Sequence, residues 1–456
     1  MNKCSCGNCG LEVFENSDKC ILHCDKTKYH KKEDTILGLI EKCEDSVYYK
    51  FYETLIQRYR IFNKKLLQLI DIHFPSNILE SKFPEFISQV MPNEISIIGG
   101  KFYGREMFNV GDKNYVKFDK LNLFKVETKY EFNIFNSSIK EVKLSCCSFE
   151  LFKIQNSYIE DLNILGSLSA IDYWNTKNIF LFDSNINYFK ITNLNMNIMS
   201  IQLGEIKNAI FKDLIINNAN FEQNVFLYKL DFLDIKIKIK IDLQNAIIPE
   251  ISTFLGLEFE NDSGVSNRET ARKIKNSFEK QNNIIEANKF YALEMKEREK
   301  ELEEDIKDGK NFFEWLVFKI HGLSSNHSQD WTLALFWILS FTFTFLTMEF
   351  VNTHYLTHTV DYILIDMIIF LGFVYGNYLI IEYEKINKFL YIGIYYIFYG
   401  FFSQDWLLKC FSNKLNPFSI MTGNEELTFS GLIYKIIIAY LIYQLIISIR
   451  QNTRRK

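Results

Sequence analysis

The chain carries 52 Lys and Arg against 56 Asp and Glu over 456 residues, a net charge of −4. That length holds about three domains, and the charge balance excludes the strongly basic footprint of a generic nucleic-acid binder. With 48% hydrophobic and 16% aromatic residues the chain is not disordered, and 19 Gly and five Pro exclude collagen-like repeats.

Residues 1–30 form a Cys/His segment holding Cys4, Cys6, Cys9, Cys20 and Cys24. No apolar stretch of secretory type accompanies them, so this end is expected in a reducing cytosol, where crowded cysteines point to metal. Zinc takes four soft nitrogen or sulfur ligands in a tetrahedron, delivered as two close pairs on tight turns. Cys6 and Cys9 make one pair around Gly7, and Cys20 and His23 make the other at the same spacing. Cys4 and Cys24 are spares able to replace Cys6 and His23. With little apolar sequence nearby, a structural Zn2+ is expected to fold the segment. Cys43, Cys146, Cys147 and Cys410 read as packing cysteines.

Residues 31–93 read as a helical connector. Ile36, Leu39 and Ile40, then Tyr49, Tyr52 and Ile56, fall at helical spacing. Pro75, Pro84 and Pro92 interrupt that pattern, and residues 95–98 are the expected first strand of the next domain.

From 94 to 262 the period changes to five. Ile134, Ile139, Leu144, Phe149, Ile154, Ile159 and Ile164 recur at every fifth position. After an irregular stretch over 166–183 the frame shifts by two and resumes at Ile186, Ile191, Met196, Ile201, Ile206, Phe211, Ile216, Phe221 and Phe226. Two residues upstream of these positions small side chains recur, at Ser137, Ser157, Ser184, Gly204, Ala209 and Ala219. A unit that cannot bury its apolar side chain alone must stack on its neighbours, which predicts a solenoid.

This pattern, best expressed in Ala219-Asn220-Phe221-Glu222-Gln223, resembles the pentapeptide-repeat family. The resemblance implies a right-handed parallel β-helix with one pentapeptide per face and four per coil. Phe152, Phe189 and Met199 depart from it by placing bulk at the small-residue position, where irregular coils are expected. The Cys/His segment resembles that of membrane-associated members of the family, which implies a bacterial cell membrane and a channel-like C-terminal domain.

Residues 263–330 read as a helical hairpin and a juxtamembrane helix. Ser266, Asn267 and Glu269 resemble a capping box, a charge run over 296–305 reads as a solvated helix, and 312–320 with Trp315 is expected on the inner membrane surface.

The last domain, 331–456, is expected to be a transmembrane bundle. Residues 331–348 are 18 consecutive uncharged positions, about 27 Å of helix against a ~30 Å hydrocarbon core. Spans are predicted at 331–350, 361–383, 387–404 and 428–449. An even number keeps both termini cytoplasmic, in agreement with Lys385 and Lys388 in the inner loop and the basic tail of Arg450, Arg454, Arg455 and Lys456. Asp366 and Lys435 fall at similar depth in the second and fourth spans, and ionisable groups there are costly; they are expected to pair.

No Walker loop, dinucleotide-binding glycine motif or Gly-x-Ser-x-Gly elbow occurs, so the chain is read as a non-enzyme. His354 and His358 lie four apart in a short outer loop and read as solvated. The expected function is an oligomeric ion channel or pore regulated by the cytosolic solenoid, with 405–426 as a candidate pore loop. The alternative is a membrane-anchored scaffold whose solenoid binds a protein partner. The expected partners are the lipid bilayer and further copies of the chain, and not nucleic acid.

Overall fold

A computed structural model describes the chain except residues 1–2, 7–8, 36–37, 60–64, 76–81, 104–105, 110–117, 167–175, 261–263, 356–358, 383–387, 417–428 and 454–456. Gly7, Ile36, His358, Lys385, Arg454, Arg455, Lys456, residues 417–426 of the candidate pore loop and residues 167–175 of the irregular stretch lie outside the described residues. The chain divides into two units, 1–283 and 284–456.

The first unit begins with a hairpin, β1 (His30–Thr35) and β2 (Gly38–Cys43), then α1 (Asp45–Tyr59). Next come β3 (Leu66–Ile70), β4 (His73–Phe74) and α2 (Phe83–Val90). Parallel strands follow as β5 (Glu94–Ile98), β6 (Lys101–Phe102), β7 (Glu106–Asn109), β8 (Lys120–Phe124), β9 (Glu127–Phe135) and β10 (Ser138–Ser145). The series continues through β11 (Ser148–Gln155), β12 (Tyr158–Leu165), β13 (Asn178–Phe182), β14 (Asn185–Gln202), β15 (Glu205–Asn220) and β16 (Val225–Asp242). β17 (Ser252–Thr253), β18 (Leu257–Phe259) and α3 (Arg268–Lys280) close the unit. The connector is therefore not wholly helical: Leu39 and Ile40 lie in β2, and the large sheet starts at β3, before the strand expected at 95–98.

Among the described residues these strands make one 16-stranded parallel sheet curled into a half-barrel, whose path runs β3-β5-β8-β10-β12-β14 and returns through β13-β11-β9-β6-β4. Two ladders thus share β14. In the β10–β12, β13–β14 and β14–β15 ladders partners lie twenty residues apart, as in Ser138 with Tyr158 and Asn185 with Glu205, and in β15–β16 the offset grows from 20 to 22. Across the irregular stretch Tyr158 pairs with Asn185, 27 residues on. The excess over twenty is seven, one pentapeptide plus two, which accounts for the two-residue frame shift.

All sixteen fifth-position residues are buried, none more than 3% exposed. The small residues stack one above another. Ser137 N donates to Ser157 Oγ at 3.1 Å, Ser157 N to Ser184 Oγ at 3.3 Å, and Gly204 N to Asn224 Oδ1 at 3.0 Å. Phe152, Phe189 and Met199 are fully buried within strands; the ladder slips by one residue beside Phe152, between Phe149 and Leu151, whereas at Phe189 and Met199 it keeps its register and the interior absorbs the bulk. Phe189 packs edge-on against Phe211, with ring centroids 5.4 Å apart.

Corners between strands, and within the long strands β14, β15 and β16, use left-handed residues about every tenth position. Asn136, Asn156, Asp183, Asn193, Asp213, Asp234 and Asn245 all have positive φ, a conformation that Asn and Asp tolerate better than other side chains. Lys125, Cys146, Leu203 and Gln223 occupy the same region. At the far end Asn267, not Ser266, caps α3, its Oδ1 accepting from Thr270 N at 2.8 Å.

The second unit holds α4 (Ile284–Lys307), α5 (Phe312–Ser325), α6 (Trp331–Tyr355), α7 (Thr359–Glu382), α8 (Lys388–Ser403), α9 (Lys409–Leu415) and α10 (Phe429–Thr453). Two stretches, Trp331–His354 and Phe429–Gln451, are long and apolar enough to cross a membrane. Leu364–Asn377 and Leu390–Ser403 are shorter apolar helices. The core lies between α6 and α10, where Ile338 meets Tyr434, Ile438 and Leu441, and between α6, α8 and α9, where Phe343 and Leu346 meet Tyr399 and Phe411. The charge run of α4 is tied to α5, with Lys319 Nζ 2.6 Å from Glu299 and 2.7 Å from Glu303, and Arg298 bonded to Glu314.

Candidate metal centre

The two tight turns expected near the N-terminus both form. Cys9 N donates to Cys6 O at 2.9 Å, and His23 N donates to Cys20 O at 3.0 Å. The donor atoms that converge are those of Cys4, Cys9, Cys20 and His23, all within 4.8 Å of one another. Cys9 Sγ lies 3.4 Å from Cys20 Sγ, and Cys20 Sγ lies 3.0 Å from His23 Nδ1. Cys4 Sγ is 4.0 Å from His23 Nδ1. Ligands about 2.1–2.3 Å from a central ion stand about 3.5–3.8 Å apart in a tetrahedron, so three sulfurs and one imidazole at these separations fit a divalent metal.

Cys4 thus stands where spacing put Cys6. The backbone supplies the reason: Cys4 N donates to Leu11 O at 2.9 Å, and Cys20 N donates to the Cys4 sulfur at 3.1 Å. Those bonds fix the start of the knuckle against Leu11 and Cys20 and turn Cys4 inward, leaving Cys6 half-buried beside it. Spacing alone could not separate the two, because both lie within reach of the same turn. Cys24, the other spare, is buried elsewhere, its sulfur 3.3 Å from Lys26 Nζ.

The surroundings support the ligands. His23 Nε2 donates to Ile70 O at 3.2 Å, which fixes the tautomer and leaves Nδ1 for a metal. Arg58 from α1 donates to Cys9 O at 2.6 Å and lies 3.6 Å from its sulfur, placing a cation against a centre that would carry one excess negative charge with three thiolates and a divalent ion. Burial and the neighbouring Cys9 thiol push Cys20 up to about 12. Burial and Cys4 push Cys6 up to about 11. Burial also raises Cys4, but amide hydrogen bonds from Cys20 and Cys6 outweigh it and bring the thiol below its usual range. Burial lowers His23. A bound metal reverses the thiol trend by stabilising thiolate.

The knuckle seats on the end of the large sheet. His73 N donates to Leu22 O at 2.9 Å, Tyr103 Oη donates to Asp25 at 3.0 Å, and Leu22 is fully buried. Lys26 is also fully buried, its ammonium donating to Ile21 O and Cys24 O and lying 5.2 Å from the Phe51 ring centroid. β3 and β4 are the two ends of the sheet path, so the knuckle bonds to both edges through His23 and Leu22.

The two charges that the sequence pairs, Asp366 and Lys435, take separate partners. Asp366 accepts both oxygens' bonds from Asn352 Nδ2, at 3.1 and 2.9 Å. Lys435 Nζ donates to the carbonyls of Lys414 at 2.6 Å and Asn416 at 2.7 Å. Backbone carbonyls at the α9 terminus were not legible as its partners, because they come from a turn far away in sequence. Gln444 Oε1 accepts from Ser325 Oγ at 3.1 Å, and Tyr434 Oη donates to Thr342 Oγ1 at 3.0 Å. His354 is exposed on α6 and bonds the Phe350 carbonyl. No protein-family model, curated protein or solved structure matches this chain.

Proposed function

We propose that the chain is an integral membrane protein whose first unit is a cytosolic β-solenoid, closed as a right-handed pentapeptide-repeat-like helix and capped by a structural Zn2+ at Cys4, Cys9, Cys20 and His23. The twenty-residue ladder offset and the sixteen buried fifth positions support the solenoid. In this reading α6, α7, α8 and α10 all cross the bilayer. Support comes from large apolar side chains facing outward on α7, α8 and α10, among them Ile368, Leu371, Leu390, Phe401, Ile436 and Ile446. Water would not tolerate so continuous an apolar exterior.

The function we propose is a membrane-anchored interaction module, with the solenoid surface presented to a protein partner. One observation carries this choice over a pore. Four polar groups of the apolar helices, Asp366, Lys435, Gln444 and Tyr434, are bonded within a single copy, as helix–helix glue. The second reading is an oligomeric ion channel regulated by the solenoid. It is favoured by a cavity of about 320 Å3 lined by Glu349, Thr353, His354, Ser403, Asn413 and Lys414 at the ends of α6, α8 and α9. Planar-bilayer recording of the purified protein separates the two: absence of current across salt, voltage and pH supports the module, and reproducible unitary currents replace it with the channel.

A further inference from the structure

The strand at one end of the sheet path, β3, reads Leu66-Leu67-Gln68-Leu69-Ile70 and carries no charge. Native edges are ordinarily blunted by charge, proline or bulges, and this one has none. Its outward face is apolar, with Leu66 47% and Ile70 49% exposed, while Leu67 and Leu69 point into the core. Lys65 O and Asp71 N are bonded to β5, through Glu94 N and Ile98 O. Alternation along a parallel ladder therefore turns the backbone groups of Leu66, Gln68 and Ile70 away from the sheet. Among the described residues, the hydrogen bond on that side is the one from His23 Nε2 to Ile70 O.

The segment is also self-complementary about Gln68. A two-fold axis through that residue pairs two copies of β3 antiparallel. Leu66 then faces Ile70 and Leu67 faces Leu69 on the core side, while Lys65 and Asp71, just outside the strand and the latter in the left-handed region at φ 51°, flank each end of the contact with opposite charge. Side-chain parity is kept from Leu66 to Ile70, opposite charges flank the two ends, and an isologous contact closes at two copies.

We propose that β3 is a self-pairing edge between two copies of this chain, and that the metal-held His23 imidazole is its gate. With metal bound, the imidazole occupies Ile70 O and the knuckle sits against the strand. Without metal, the knuckle loses the ligands that fold it, and the edge opens to a second copy. This rests on the metal-centre reading above.

The test uses the full-length protein in detergent, with metal content measured by elemental mass spectrometry. Its mass is followed by light scattering before and after a zinc chelator with reductant. Metal removal is expected to double the mass of the particle relative to its metal-loaded form. Lys65→Asp opposes Asp71 with a like charge and is expected to keep the loaded mass after chelation. Adding Asp71→Lys restores complementarity and doubling. Gln68→Lys, which sets two ammonium groups on the axis, is expected to block doubling with metal content unchanged. If the isolated protein carries no metal, the metal-centre reading falls and the gate with it. If it carries metal and the mass is the same after removal, or if Lys65→Asp doubles as the wild type does, the edge proposal falls alone.

Discussion

Leu203 sits in a left-handed corner, φ 55°, with its side chain 49% exposed. Seven of the eleven such corners hold Asn or Asp, and a branched aliphatic residue in this conformation costs about 1–2 kcal/mol. Leu203→Asn is therefore expected to stabilise the protein by about 1 kcal/mol, read as a raised midpoint in chemical denaturation of the first unit. The next residue works in the opposite sense. A Cβ on Gly204 would stand 2.5 Å from the Ser184 carbonyl oxygen and 3.2 Å from Asn224 Oδ1. Gly204→Ala must push apart two coils where the small-residue stack is tightest, at a cost of about 1–3 kcal/mol. An unchanged midpoint would show that the stack yields. These positions were partly legible: the five-residue period marked Gly204 as a small-residue site, whereas nothing in the local sequence marks Leu203 as a corner.

At the scale of elements, the knuckle and the turn between α5 and α6 make separate predictions. The Cys20 thiol, pushed up to about 12 by burial and Cys9, must lose its proton to bind metal. Affinity then falls as pH falls, because protons compete for the same sulfur. Zinc release followed with a chromogenic chelator is expected to accelerate from pH 7 to pH 5, and Cys20→Ser to abolish stoichiometric metal while Cys6→Ser retains it. Loss of metal with Cys6→Ser would move the ligand set back to the Cys6–Cys9 pair. Before the first apolar helix, His321 Nδ1 lies 3.1 Å from His327 Nδ1, and burial and the His321 charge lower His327 to about 4 from 6.5. A histidine whose folded pKa is depressed binds more protons unfolded, so its contribution is complete above about pH 6.5 and is lost as pH falls toward 4. Hydrogen exchange of the amides around 321–330 should quicken over that window, and His327→Asn should weaken the dependence, the remainder coming from His321, which burial also lowers.

For the whole molecule, the membrane reading predicts that alkaline carbonate leaves the full-length chain in the pellet. Two of its helices meet the length and hydropathy of a span outright, and α7 and α8 contribute outward apolar side chains over shorter runs. Recovery of the intact chain in the supernatant would remove the anchor and with it both functional readings. Truncating before Trp331 should release the solenoid into the soluble fraction with its metal intact.

The five-residue period, its two-residue shift, the apolar helices and the Cys/His segment were all written in the sequence, because each is a local recurrence set by a repeat length, a bilayer thickness or a turn. Tertiary structure decided what recurrence leaves open. It chose Cys4 over Cys6 through a backbone bond to Leu11 and an amide from Cys20, and it brought β3 and β4 into the sheet ahead of the repeats. It also gave Asp366 and Lys435 different partners. In each case the deciding contact joins residues distant along the chain, and a composition or spacing rule carries no information about which of several equally spaced groups such a contact will select.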